Sequence, residues 1–275
     1  MVNILVPTDF SDLSKVAIKY SLKMAKNLNA NVTILHVIIR IQPTRASVRF
    51  KLQALEHEMD RYAKEDLADL LEEVGKWNKA NIPVQVKLAK GSNFHDAVKS
   101  EAKKLRSGLI VMGTRGASGL KKVVIGTNTT AVIERSIIPV LAIPELAAHA
   151  GFKKIVYATD LKDIEGEFKR LKPYLEIFES SVHVVHVAVN DKMVGEAKEI
   201  INTAFRKFDS RKLKIEVLVS KDIDKALDGY VMEQKADLVC LFSHHHSFYD
   251  KLFNRSQTKK MAFQSKVPLL AFKKL

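Results

Sequence analysis

Cysteine is almost missing from this chain: Cys240 is the single one among 275 residues. No intrachain disulfide can form, which excludes a disulfide framework and fits a reducing compartment. Seven prolines and 11 glycines are too few for a collagen-like or low-complexity chain. Long apolar runs are lacking as well. None approaches the ~20 residues of a membrane span. The opening MVNILVPTDFSD places Asp9 and Asp12 where a signal peptide would continue its apolar stretch. Zinc-finger spacings and RNP-like aromatic motifs do not occur, so nothing points to sequence-specific nucleic-acid binding. The expectation is a soluble, cytoplasmic protein with no membrane span.

What is present is a globular balance, 47% hydrophobic and 28% charged, in a length that suits one large or two ordinary domains. The net charge is +14. Residues 1–150 carry 22 basic and 14 acidic groups and the remainder 23 and 17, so the excess is spread over both halves. A basic surface attracts polyanions such as nucleotides, nucleic acid or lipid headgroups. A lysine-rich solvated surface accounts for the same numbers.

The chain repeats itself. Asn3–Asp12 (NILVPTDFSD) is answered by Lys154–Asp163 (KIVYATDLKD), and Val32–Ile38 (VTILHVI) by Val182–Ala188 (VHVVHVA), with His36 and His186 in the same place. Pro83–Ala89 (PVQVKLA) pairs with Lys214–Ser220 (KIEVLVS), Gly108–Gly113 (GLIVMG) with Asp237–Ser243 (DLVCLFS), and Pro139–Ile143 (PVLAI) with Pro268–Phe272 (PLLAF). Five matches in the same order, at offsets of 129 to 151 residues, imply two homologous domains. These are residues 1–146 and 151–275.

Each repeat carries five short Val/Ile/Leu-rich runs of the kind found in strands buried on both faces of a parallel sheet. Amphipathic segments lie between them. Ser14–Leu28 is one, with Ser11 or Asp12 as its cap; Ser47–Asn78 is long and charged; Asn93–Leu105 is opened by Ser92 or Asn93; and Thr129–Arg135 stops before Pro139. The fold class is α/β: two tandem doubly wound domains, each with a mostly parallel five-stranded sheet flanked by helices. In such sheets ligands sit beyond the carboxyl ends of the strands, where the strand order reverses. That rule selects Pro7-Thr8-Asp9, Val37-Ile38, Gly91 and Met112-Gly113.

After the fourth strand the chain reads GTRGASGLKKVVIGTNTT, with Gly113, Gly116 and then Gly126-Thr127-Asn128 opening a helix. Glycines admit close approach of an anion, and a helix N-terminus offers unpaired N–H groups. Arg115, Lys121 and Lys122 add positive charge. The segment is neither a P-loop, since no GKS or GKT follows, nor a GxGxxG dinucleotide fingerprint. From these residues alone the glycines read either as turn residues or as a phosphate cradle.

The spacing Gly113-x-x-Gly116-(nine residues)-Gly126-Thr127, the opening PTDFS (Pro7 to Ser11) and the LHVI strand (Leu35 to Ile38) resemble the universal stress protein family. The resemblance covers the whole chain as a tandem pair and is strongest in residues 1–146. It implies ATP, with magnesium, held by the first domain. By matching position Asp9 contacts the ribose, Pro7, Thr8 and the Val37 backbone line the adenine pocket, and Met112, Gly113, Arg115, Gly116, Gly126, Thr127 and Asn128 surround the phosphates. A further reading of Asp9 is a cap for the helix near Ser14. The resemblance also implies pairing of the two domains within the chain. A further homodimer fits a short exposed sheet edge expected at Val140–Ile143.

The second repeat keeps Asp160, but Ser243 and His246 stand where Gly113 and Gly116 do, Ser256 or Arg255 replaces Gly126, and Asp222 falls on Gly91. Side chains there occupy the space of a triphosphate, so this half is expected not to bind ATP. His244-His245-His246 could join Asp222, Asp250 or His186 around a metal, but consecutive histidines alternate sides and zinc needs three or four ligands. A polar loop explains them as well. Cys240, His36, His186 and Trp77 read as packing residues, and the run through Arg255, Lys259 and Lys260 as a solvated face. The leading function is an ATP-binding regulatory protein of the stress response. The alternatives are a slow ATPase, a ligand-free interaction or chaperone-like module, and a metal or lipid role for the second half.

Overall fold

Strands and helices alternate through a computed structural model that describes residues 2–40, 46–114, 125–147, 151–243 and 266–273. Two compact units result. The first takes the described residues up to 114 together with 126–140, and the second takes those from 141 onward together with Ile125.

In the first unit, β1 (Val2–Thr8) runs into α1 (Asp12–Leu28), followed by β2 (Ala30–Ile39), α2 (Ala46–Trp77), β3 (Val84–Gly91), α3 (Phe94–Lys104), β4 (Ser107–Gly113) and α4 (Thr127–Arg135). The strands lie in the order β3-β2-β1-β4, and the pairs of β1 with β2 and β4, and of β2 with β3, are parallel. Ile4, Leu5 and Val6 are fully buried in succession, as a strand covered on both faces requires. The chain moves outward from β1 to β2 and β3, then returns to β4 on the other side of β1. The reversal of strand order therefore falls between β1 and β4.

The helix starts follow the side chains before them. Ser11 caps α1, its side chain accepting from Ser14 N at 3.3 Å, and Asn93 caps α3, accepting from Asp96 N at 2.9 Å. Asn29 closes α1 in the left-handed conformation at φ 46°. Asp9 caps neither helix.

The second unit repeats the order. β6 (Lys154–Ala158), α5 (Ile164–Ile177), β7 (Ser181–Ala188), α6 (Val194–Phe205), β8 (Leu213–Val219), α7 (Ile223–Glu233), β9 (Leu238–Ser243) and β10 (Leu269–Lys273) follow one another among the described residues. The strands lie as β10-β9-β6-β7-β8, and every registered pair is parallel. Cys240 lies within β9, fully buried. Desolvation and the nearby Glu167 push its thiol well above the usual range, so it is an unreactive core residue. The buried Tyr157 hydroxyl donates to Glu167 Oε2.

Two expectations are corrected here. β5 (Val140–Ile143) is buried at all four residues rather than presenting an exposed edge. Ala142 belongs to a core cluster with Val156, Val239 and Leu269, so the homodimer loses that support. Second, Asp222 is not the counterpart of Gly91. His36 pairs with Leu88 and His186 with Val217, which puts Ser220 opposite Gly91 and Asp222 opposite Asn93. Asp222 caps α7, accepting from Lys225 N at 3.3 Å, as Asn93 caps α3. Among the described residues no helix is long and apolar enough to cross a membrane, and no group of three or more His, Cys, Asp or Glu could hold a metal ion.

Candidate functional site

The turn after β1 is held by a directional chain of hydrogen bonds. Phe10 N donates to Thr8 Oγ1 at 3.0 Å, and the Ser14 hydroxyl donates to Ser11 O at 2.8 Å. Ser14 has spent its one proton, so the 2.9 Å contact between the two hydroxyls is donated by Thr8. From below, His36 Nδ1 lies 2.9 Å from Thr8 O. A carbonyl only accepts, so the ring carries its proton on Nδ1. Phe10 takes φ 64°, an uncommon conformation for a bulky residue, and its ring lies against His36 with centroids 4.5 Å apart. The backbone strain sits at the strand end and is held there from both sides.

This turn presents Asp9 to solvent. Its Oδ1 accepts from Ser11 N at 3.2 Å and from Ser11 Oγ at 2.5 Å. An ionised carboxylate makes the stronger kind of hydrogen bond and has several acceptor positions.

Across the strand-order reversal, α4 begins without a side-chain cap. Its N-cap is Gly126, extended at φ −63° and ψ 155°, and no acidic residue stands in its first turn. α1 and α3 in the same unit are both capped. An uncapped helix N-terminus offers N–H donors and the positive end of the helix dipole. The start of α4 is fixed to the end of β4 twice: Thr129 Oγ1 donates to Gly113 O at 2.8 Å, and Gly126 N donates to Thr114 O at 2.5 Å.

One cleft collects these parts. It is lined by Pro7, Thr8, Asp9, Met112, Gly113, Gly126 and Asn128, joined by Ser14, Phe94 and Thr129. It encloses about 60 Å³ and opens to solvent. Seven of the expected site residues are thus brought together. Thr127 opens α4 beside them. Val37 does not line the cleft; it lies in β2, one residue beyond His36, and is 9% exposed. Arg115 and Gly116 lie outside the described residues, as do Lys121, Lys122, His244–His246, Arg255, Ser256, Lys259 and Lys260.

Ser14, Phe94 and Thr129 are not among the residues the strand-end rule selects. Each stands in the first turn of a helix that follows a strand, so the signal is a place in that turn rather than the residue type. Near Phe94, Asp96 is held below the usual carboxylate range by a hydrogen bond from Asn93.

Among the described residues the second unit reproduces the strand-end turn of this site and differs at its aspartate. Leu161 N donates to Thr159 Oγ1 at 3.0 Å, Leu161 takes φ 69°, and His186 Nδ1 lies 2.9 Å from Thr159 O. Asp160, however, accepts from Lys162 N at 3.1 Å and has Lys162 Nζ at 3.9 Å.

The model of the universal stress protein family matches residues 1–144. Universal stress protein YxiE of Bacillus subtilis is 32% identical over 143 residues, 50% of this chain and 96% of that protein. Universal stress protein MJ0531 of Methanocaldococcus jannaschii is 28% identical over 141 residues, 51% of this chain and 80% of that protein. A crystallised universal stress protein from Archaeoglobus fulgidus is similar in fold over 98% of both chains, with a TM-score of 0.73 at 18% identity.

Proposed function

Because the chain belongs to the universal stress protein family, in its tandem form, we propose that its first unit binds ATP in the cleft between β1 and β4. The protein then acts as a cytoplasmic, nucleotide-dependent regulator of the stress response. One observation carries this reading: the uncapped N-terminus of α4 opens onto the same cleft as the exposed carboxylate of Asp9. A nucleotide needs both, an acceptor for its sugar hydroxyls and a donor cluster for its phosphates.

In this reading Asp9 shares its acceptor oxygens between Ser11 and the ribose. The first-turn N–H groups of α4, with the Asn128 side chain, face the phosphates, and Thr129 fixes that turn to β4. Gly113 and Gly126 let the backbone approach the ligand without a Cβ in the way. Pro7, Thr8 and Met112 supply the walls. Arg115, Gly116 and Thr127 complete the phosphate contacts, and the backbone of Val37 meets the base. Magnesium arrives with the phosphates as their counter-ion. The second unit, lacking the glycine positions in its sequence, is a scaffold rather than a second site.

Calorimetric titration of the nucleotide-stripped full chain with ATP and magnesium tests this. One strong site per chain is the expected result. No binding overturns the nucleotide reading, and two equal sites overturn its assignment to the first unit alone.

A further inference from the structure

The second half of α1 carries a face that the nucleotide reading does not use. Lys19, Leu22, Lys23 and Lys26 stand at i, i+3, i+4 and i+7 and so share one side of the helix. Trp77, the last residue of α2, and Lys79 just beyond it face them across a groove of about 470 Å³. That volume lies within the range of small-molecule sites, ~300–1,000 Å³. The groove begins about 8 Å and ends about 18 Å along α1 from Ser14, which lines the cleft, by the 1.5 Å rise per residue.

Its charge is one-sided. Among the described residues no carboxylate lines the groove, while four lysines do. Lysines nearby are neutralised: Lys15 pairs with Glu73 at 2.9 Å and Lys76 with Glu72 at 3.2 Å. Among the described residues Lys19, Lys23, Lys26 and Lys79 form no such pair. Like charges four apart on a helix repel; the Trp77 ring offsets this for Lys19, whereas Lys23 has no opposite charge beside it among the described residues. Helix-dipole attraction accounts for Lys26 alone, in the last turn.

The floor is apolar. Leu22 is buried, Trp77 is half-buried, and the Lys19 ammonium lies 4.2 Å from the centre of the Trp77 ring. That cation covers one face of the ring, so a flat group in the groove meets the rest of the half-buried ring and the aliphatic stems of the lysines.

We propose that this groove binds a small organic anion with a flat, apolar body. The body lies against Trp77 and Leu22, and the carboxylate, sulfonate or phosphate head is taken by Lys23, Lys26 and Lys79. A concave groove of molecular size favours such a ligand over a membrane surface or a nucleic-acid strand, which call for a flat or extended basic track.

Trp77 is the single tryptophan of the chain, so intrinsic fluorescence reads this groove and not the β1–β4 cleft. The probe is anthraquinone-2-sulfonate, a flat sulfonate that quenches indole, titrated into the full chain. The expected result is saturable quenching at one site that weakens about tenfold in Lys23→Glu/Lys26→Glu and about threefold in Lys23→Gln/Lys26→Gln. Both positions are exposed, and circular dichroism checks that each variant is folded. A neutral hydroxymethyl analogue of the same ring binds at least about tenfold more weakly. Purely collisional, linear quenching overturns the proposal, as does equal affinity in the folded variants or for the neutral ring. So does a Trp77 response to phosphatidylserine vesicles or single-stranded DNA with none to the small anion.

Discussion

His36 and Thr8 are joined at the carboxyl end of the first strand, with Nδ1 2.9 Å from the carbonyl oxygen. The pair recurs at 2.9 Å between His186 and Thr159 in the second unit. Together with the left-handed residues at 10 and 161, it shows that both units build the same strand-end turn. The two copies diverge at the next step, in what surrounds the aspartate. Asp9 is held by Ser11 and open to the cleft. Asp160 is held by the backbone of Lys162, with that lysine's ammonium beside it.

That divergence separates the two carboxylates experimentally. If Asp9 holds the ribose as proposed, Asp9→Ala lowers ATP affinity about tenfold or more, roughly the worth of a hydrogen bond to a charged group. Asp160→Ala leaves ATP affinity unchanged. Calorimetry on both variants checks the pair, and equal losses would sink the assignment of the site to the first unit.

Thr129 tests the phosphate end without touching the ligand. It is buried at 3% exposure, and its hydroxyl serves Gly113 O. Thr129→Val keeps the shape but strands that carbonyl, costing about 1–3 kcal/mol of stability. It also loosens α4 from β4, so ATP affinity falls about three- to tenfold. Thr129→Ser restores both. A valine variant as stable as the wild type and binding as tightly would remove Thr129 from the positioning role.

The strands and helices of the first unit are legible in the sequence, and each cap to within two neighbours (Ser11 or Asp12, Ser92 or Asn93), because each rests on local chemistry: apolar runs, helical periodicity, a side-chain acceptor ahead of a first turn. The register of β8 is not. Matching PVQVKLA to KIEVLVS is wrong by two residues, and a shift of two keeps every side chain on its own face of a strand. The alternation therefore cannot reveal it, whereas pairing with His186 in β7 does. The strand ends of the cleft follow from the rule for doubly wound sheets, and Gly126 and Asn128 from the glycine segment that opens α4. Ser14 and Phe94 do not, because they reach the cleft through the packing of α1 and α3. The burial of β5 is hidden too: VLAI suits an edge or a core strand equally, and its burial comes from contacts distant in sequence.

Two glycines of the first unit respond to alanine with opposite signs. Gly75 lies in α2 with open space around it, nothing standing within 4 Å of the position a methyl would take. Gly75→Ala therefore stabilises by about 0.5–1 kcal/mol through helix propensity. A methyl on Gly91 would meet Ala97 Cβ at 2.9 Å and Asn93 O at 3.2 Å, neither at the end of a flexible side chain. Gly91→Ala costs about 1–3 kcal/mol by overpacking. Urea unfolding of the two variants reads both signs.

The last prediction concerns pH. His183 lies in β7, 8% exposed, with Nδ1 3.0 Å from the Tyr230 hydroxyl. Desolvation, then Lys214 and Lys154, push it down from 6.5 to about 4. The unfolded chain takes up a proton near 6.5 that the folded chain refuses until about 4, so protons favour unfolding between those values. The stabilisation is complete above about pH 6.5, declines as pH falls toward 4, and changes no further below that. Its size is about 1–2 kcal/mol once solvent screening around the flanking lysines is allowed for. His183→Gln keeps a polar partner for Tyr230 but cannot titrate. Unfolding in urea near pH 7.5 and again near pH 5 shows a smaller loss in the variant than in the wild type by about that amount. Identical losses would mean that His183 titrates alike in the folded and unfolded chain, and that its burial carries no penalty for the charged ring.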